Sequence, residues 1–278
     1  MRVRRLLLVG SLLVASMRLV ASDTAHAQAH SQAAAQAPDA APAVDSGEAF
    51  RSLVEGNARF LEGKPSGAGR DEVRRLDVAK NGQHPFATVL SCSDSRVPVE
   101  LLFDQGIGDV FVVRVAGNVS DTDEIGTIEY GVGHLNTPLL VVMGHTSCGA
   151  VKAVMDGAEV HGSIPALVDN VAPAVRLARS KFEGSPRLFQ EAVRMNVWMS
   201  IEDIFKRSEE VRGLVKAGKL QVVGALYMLE TGAVIWMGEH PEKTRLMTPP
   251  GSRPSLPGSG TRPAAKPAVA AKTAAAGH

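Results

Sequence analysis

Three short runs do most to dictate the architecture: Phe86–Leu90 (FATVL), Val110–Val115 (VFVVRV) and Leu139–Met143 (LLVVM). Each is nearly continuously apolar and rich in β-branched residues, without the alternation of a strand that keeps one face in water. Such runs suit strands buried on both faces of a parallel sheet. Helical stretches separate them, including 121–135, where Asp121 and Glu124 stand at capping-box spacing. Strand and helix in alternation predict an α/β fold with right-handed crossovers. The pattern is then helical from Ser163 to Lys219, with Pro165, Pro173 and Pro186 near helix starts. Leu220–Leu229 and Ala233–Met237 read as two strands joined by a turn at Glu230, Thr231 and Gly232. Near the front, Phe50, Leu53, Val54, Asn57, Phe60 and Leu61 recur at helical spacing, with Asp45 and Glu48 placed to cap. The expectation is a single α/β domain over 45–243. It has a mostly parallel central sheet of four or five strands, flanking helices and an N-terminal helical arm.

The chain has two cysteines, in Cys92-Ser93-Asp94-Ser95-Arg96 and His145-Thr146-Ser147-Cys148, and each segment follows one of the buried-strand runs. In open α/β sheets ligands bind beyond the carboxyl ends of strands, which is where Cys92 and His145 fall. Thiolate and imidazole are ligands that zinc prefers, and Cys92, His145 and Cys148 leave a fourth tetrahedral position for water or a carboxylate. Two alternatives stand beside this one. Paired cysteines in an exported chain can form a disulfide, which excludes zinc here. A structural zinc would need a fourth protein ligand, and only three are evident. Asp94 and Arg96 follow Cys92 at i+2 and i+4, so in extended chain all three face one cavity.

Ser91–Pro98 (SCSDSRVP), Gly144–Val151 (GHTSCGAV) and the intervening Phe111–Asn118 (FVVRVAGN) closely resemble the motifs of the β-class carbonic anhydrases, over a stretch from about Phe50 to Met237. The resemblance implies Zn2+ held by Cys92, His145 and Cys148, with a zinc-bound hydroxide converting CO2 to bicarbonate. For the catalytic pair Asp94 and Arg96 it implies two arrangements. Asp94 either accepts a hydrogen bond from the zinc-bound water while salt-bridged to Arg96, or becomes the fourth ligand in a closed state. Gln83, nine residues before Cys92, matches a glutamine that meets substrate, and Val97 and Gly149 match cleft-lining positions. Some members carry a second bicarbonate site built from a Trp, an Arg and a Tyr. Arg114 and Tyr227 match two of these, but Val89 stands at the Trp position, which implies the open, non-allosteric type. A homodimer or homotetramer is implied, with the helical arm packed on a second subunit. The same residues leave open hydrolysis of carbon disulfide or carbonyl sulfide, and a non-catalytic bicarbonate-binding module. A module of that kind is expected to lose a ligand or the Asp–Arg pair, and all five residues are present.

The formal net charge of +1 and the lack of a basic stripe exclude nucleic acid as a partner. Met1 to Arg5 is basic, Leu6 to Met17 is uncharged, and Ala25-His26-Ala27 offers a small-x-small cleavage site. Residues 1–27 therefore read as a signal peptide, with export to the periplasm. Arg18 cuts the apolar run short of a membrane span, so no transmembrane segment is expected in the mature chain. Residues 28–44, rich in Ala, Gln and Pro, and 244–278, rich in Pro and Ala, are expected to be disordered. His240 falls beside the second of these tails. His134 reads as a helix-end residue, and Trp198 and Trp236 as core filling.

Overall fold

The computed structural model describes residues 44–248. The expected signal peptide, all but one residue of the expected linker and most of the expected C-terminal tail lie outside the described residues.

The first helix, α1 (Ser46–Leu61), opens with the expected capping box: the Glu48 amide donates to the Asp45 carboxylate at 2.8 Å, and Glu48 reaches back to the Asp45 amide. The arm packs on its own chain, burying Ala49, Leu53, Gly56 and Asn57. Asn57 ties it down, donating to the carbonyls of Leu102 and Gly232 and accepting from the Val234 amide, each at 3.0 Å. The next helix, α2 (Glu72–Asn81), has no counterpart among the sequence expectations. It buries none of its side chains and is tethered by Arg74, which donates to the Ile107 carbonyl and to Asp109.

The sheet contains β1 (Ala87–Ser91), β2 (Val110–Arg114), β3 (Leu139–His145), β4 (Gln221–Tyr227) and β5 (Val234–Gly238), in the order β2-β1-β3-β4-β5. All neighbouring pairs are parallel except β4 with β5, as the alternating pattern predicts. Between the strands lie α3 (Val99–Leu102), α4 (Thr122–Glu129), α5 (Gly149–Asp156), α6 (Ile164–Asp169), α7 (Ala172–Phe182), α8 (Leu188–Arg207) and α9 (Glu209–Lys216), and α10 (Lys243–Leu246) follows β5. Asp121 and Glu124 form their capping box on α4. The helical stretch expected over 121–135 is continuous, but its pitch changes. It becomes a π-helical turn from Tyr130 to His134, closed by the Leu135 amide on the Tyr130 carbonyl, with the Tyr130 and His134 rings stacked 4.7 Å apart.

Successive strand residues serve opposite faces. Val89, Val141 and Val223 pack with Leu53, Leu102 and Phe103 from α1 and the α3 segment. Leu90, Val142 and Val222 face Ile128, Val197, Ile201 and Phe205 on the helical side. Trp236 stacks on Phe103 and meets Phe50 edge-on, while Trp198 packs at the edge of the other layer. His240 is not part of a tail. It is 7% exposed, lies edge-on to Trp198, and accepts from the Glu242 amide at 3.0 Å. The boundary expected at Lys243 cuts through α10, whose Leu246 is buried in the core.

The order β2-β1-β3 means that the chain leaves β1 to one side for β2 and returns to its other side for β3. A crevice therefore opens between the carboxyl ends of β1 and β3, at the point where the winding reverses. The helical arm underneath fits tightly. A Cβ at Gly56 would lie 1.7 Å from the Phe103 carbonyl oxygen, a backbone atom with no room to move. Gly56→Ala is expected to destabilise the domain by about 1–3 kcal/mol or more. A fall in urea midpoint checks this, and an unchanged midpoint would show that the arm is not locked as described.

Candidate metal centre

β1 ends at Ser91 and delivers Cys92; its neighbour β3, paired through Ser91 and Met143, ends at His145. Cys148 precedes α5, so the amides of Val151 and Ala150 point at its sulfur, where a helix N-terminus favours negative charge. The Sγ atoms and an imidazole nitrogen of these three residues all lie within 4.8 Å of one another. Tetrahedral ligands on zinc stand roughly 3.8 Å apart for bond lengths near 2.3 Å, so the cluster has the right dimensions. All three side chains are buried, at 4%, 0% and 1% exposure for Cys92, His145 and Cys148, and both cysteines are free. The disulfide alternative is not the state of this structure.

His145 gives the sharpest indication of a metal. Its Nδ1 lies 2.8 Å from the Thr146 carbonyl, which can only accept, so the proton sits on Nδ1 and Nε2 carries a bare lone pair. That Nε2 is buried without a hydrogen-bond partner, a costly condition unless something else takes the lone pair. A cation between the sulfurs and the imidazole would take it.

One of the two thiols shows the same bias toward a cation. Cys92 is lowered to about 4, first by a hydrogen bond from the Cys148 thiol and then, against the effect of burial, by the backbone amides of Gly117 and Asp94. The Gly117 amide lies 3.3 Å from Cys92 Sγ. Cys148 is pushed up by donating to Cys92 and by burial.

Asp94 stands at the rim, its Oδ2 3.9 Å from His145 Nε2. Arg96 holds both of its oxygens: the backbone amide and Nε donate to Oδ1 at 3.0 and 2.9 Å, and Nη2 to Oδ2 at 2.8 Å. This grip keeps the Asp94 carboxyl far below the usual carboxylate range. Of the two arrangements expected for Asp94, the structure has the one salt-bridged to Arg96.

Residues 87–234 match the family model described as Carbonic anhydrase. Carbonic anhydrase 2 of Mycobacterium tuberculosis is 40% identical over 191 residues, which cover 67% of this chain and 90% of that protein. The chain belongs to the β-class carbonic anhydrase family. Among solved structures, the β-carbonic anhydrase CcaA superposes with a TM-score of 0.53 at 28% identity, over 67% of this chain and 94% of that one. The Coccomyxa β-carbonic anhydrase gives 0.54 at 26% identity, over 66% and 84%.

In this carbonic anhydrase the structure gathers Cys92, Asp94, Arg96, His145 and Cys148 into one site, with Gly149 exposed beside it at the start of α5. It does not gather the other two expected residues. Gln83 precedes β1 and so lies at the opposite edge of the sheet, roughly 16 Å of strand away. There it lines a cavity of about 730 Å³ with Arg75, His84, Tyr130 and His134. Val97 is fully buried in the cluster that holds Leu53, Val89 and Val99, and its amide closes the Asp94 turn by donating to the Asp94 carbonyl at 3.0 Å. Arg114 is already engaged, donating from Nε to the Cys92 carbonyl at 3.1 Å and from Nη2 to the Asp94 carbonyl at 2.6 Å. It is a strut for the ligand loop, a role that only the pairing of β1 with β2 reveals. Gly117, which the sequence reading gave no role of its own, sits at φ 77°, and a glycine just after an apolar strand run was its one visible signal.

The thiol pair supplies a test. Because Cys92 is depressed, its thiolate is present above about pH 4 and is lost as pH falls through that value, while Cys148 remains a thiol at neutral pH. Reduced, metal-free protein should therefore show one thiolate per chain by ultraviolet absorbance at pH 7, absent in Cys92→Ser. Thiolate appearing only above the free-cysteine range of about 8.5 would contradict the geometry.

Proposed function

We propose that the protein catalyses the reversible hydration of CO2 to bicarbonate and a proton, using zinc held by Cys92, His145 and Cys148. The observation that carries this reading is the buried, unpartnered Nε2 of His145 facing two cysteine sulfurs, beside a carboxylate clamped by Arg96. Bound there, zinc supplies a Lewis acid that brings the pKa of a coordinated water down toward about 7.

The chain's own residues then set direction and protonation. With Oδ1 occupied by the Arg96 amide and Nε, Asp94 presents Oδ2 toward the ligand cluster as an ionised hydrogen-bond acceptor. An acceptor there orients the reacting water so that its other lone pair faces the carbon of CO2. Turning Asp94 onto the metal would break its hydrogen bonds from Arg96, two of them from the guanidinium. Arg96 is thus a restraint on Asp94 as well as its counter-charge. Arg114 keeps the Cys92 to Asp94 backbone in place, and Gly149 leaves the rim free of a side chain. The proton released passes to solvent at the exposed Asp94–Arg96 edge.

The ligand set and the Asp94–Arg96 pair are both intact, which speaks against a non-catalytic module. Comparing CO2 hydration with hydrolysis of carbonyl sulfide or carbon disulfide separates the enzymatic readings. Export to the periplasm belongs to the same proposal and is supported by the sequence of residues 1–27.

A homodimer or larger assembly is also part of it. A ten-residue helix such as α2 is too short to stand alone in water. It buries nothing, and Val73 and Leu76 are 76% and 54% exposed. A second copy covering this face would also give Gln83 a route to a triad that its own chain does not offer.

Asp94→Ala is expected to slow CO2 hydration by about 10²–10⁴-fold with zinc content unchanged. Arg96→Lys should fall between it and wild type, because Lys lacks the planar fork. Stopped-flow hydration with metal analysis checks both, and undiminished turnover in Asp94→Ala would remove that residue from the mechanism. Separately, Leu76→Glu should shift the protein toward monomer in sedimentation velocity; an unchanged assembly would place the interface elsewhere.

A further inference from the structure

Thr146 links the metal-ligand loop to the end of β4 and the turn that follows it through two groups and three hydrogen bonds. Its amide donates to the Tyr227 carbonyl at 2.9 Å. Its hydroxyl accepts from the Leu229 amide at 2.9 Å and donates to Glu230 Oε2 at 2.8 Å. Its remaining polar group, the carbonyl, is the sole partner of His145 Nδ1. The atom that fixes the imidazole's tautomer and plane therefore belongs to a residue whose other polar atoms are all fastened to a different part of the chain.

The fastening point is itself rigid. Met228 and Ala233 close the turn, the Gly232 amide returns to the Met228 carbonyl, and the Gly232 carbonyl accepts from Asn57 on α1. On the far side of Thr146, Ser147 holds a left-handed backbone at φ 56°, and its carbonyl accepts from Arg96 Nη2 at 3.3 Å. The Thr146 peptide is thus pinned between the turn and the Asp94–Arg96 pair, so rotation of its carbonyl must break contacts on one side or the other.

We infer that Thr146 and Glu230 are positioning residues for His145: the Glu230 carboxylate, through the Thr146 hydroxyl, holds the carbonyl that aims Nε2 at the two cysteine sulfurs. Neither touches the reacting atoms. Partners of this kind around a ligating histidine are worth about 10–100-fold in metal affinity. The inference rests on the metal reading above, and the experiment separates the two.

Co2+ and Zn2+ affinities of the full chain are measured by chelator competition, with the visible spectrum of the Co2+ form as a signature of ligand geometry. Thr146→Val and Glu230→Ala should each weaken affinity, by about 10–100-fold for the former, and alter the Co2+ spectrum. Thr146→Ser, which restores the hydroxyl, and Glu230→Gln, which keeps an acceptor oxygen, should lie near wild type. Urea midpoints of the metal-free forms serve as the structural control, and Glu230→Ala, on an exposed turn, covers the case in which Thr146→Val does not fold. Wild-type affinity and spectrum in both Thr146→Val and Glu230→Ala would overturn the inference, as would equal loss in Thr146→Ser. A wild-type chain that binds neither metal would instead overturn the metal reading itself.

Discussion

The site depends on the parallel pairing of β1 with β3. Their register sets Ser91 against Met143, so the next residue on one strand and the last on the other, Cys92 and His145, meet at the point where the sheet reverses its winding. Sheet topology alone brings together two donors separated by 53 positions in the chain. The short Thr146-Ser147 link then returns Cys148 to the same place at the start of a helix. What gathers there is unfavourable by itself: a buried Cys92 sulfur biased toward the thiolate and an imidazole nitrogen with no partner. Buried polar groups left unpaired cost free energy, and a bound cation turns that cost into affinity.

Around this cluster, backbone and guanidinium groups share the work of holding the ligands and the carboxylate. Arg114 grips the carbonyls of Cys92 and Asp94, Arg96 grips the Asp94 carboxylate and the Ser147 carbonyl, and the Thr146 carbonyl accepts a hydrogen bond from His145 Nδ1. Asp94 remains ionised because Arg96 satisfies it, and the same hydrogen bonds restrain it from the metal. One ion pair thereby decides both the charge of the carboxylate and the position it occupies.

Local chemistry was legible in the sequence, and long-range geometry was not. The capping boxes at Asp45 and Asp121, the apolar strands and the ligand segments each write their signal within a few residues, and each is found where that signal placed it, although β2, at the sheet edge, is mostly half-buried rather than covered on both faces. Val97 and Gln83 were drawn into the site by resemblance, yet strand direction puts one beneath the site and the other at the opposite edge. His240 was placed only beside a tail because nothing nearby in sequence announces its packing on Trp198. The change of pitch at Tyr130 and the bare helix over Glu72–Asn81 escaped for a related reason: their apolar residues are too few and too irregular for periodicity to speak. Thr146 and Glu230 lie 84 positions apart, and only the folded chain brings them together.

Everything converges on whether Cys92, His145 and Cys148 hold a zinc ion. The most direct measurement is the zinc content of the reduced full-length protein, wild type and Cys148→Ser, with CO2 hydration followed on the same samples. One tightly held zinc per wild-type chain is expected, with hydration lost on chelation, restored on adding zinc back, and absent from Cys148→Ser. A reduced wild-type chain that takes up no zinc, or a native Cys92–Cys148 disulfide, would contradict the account.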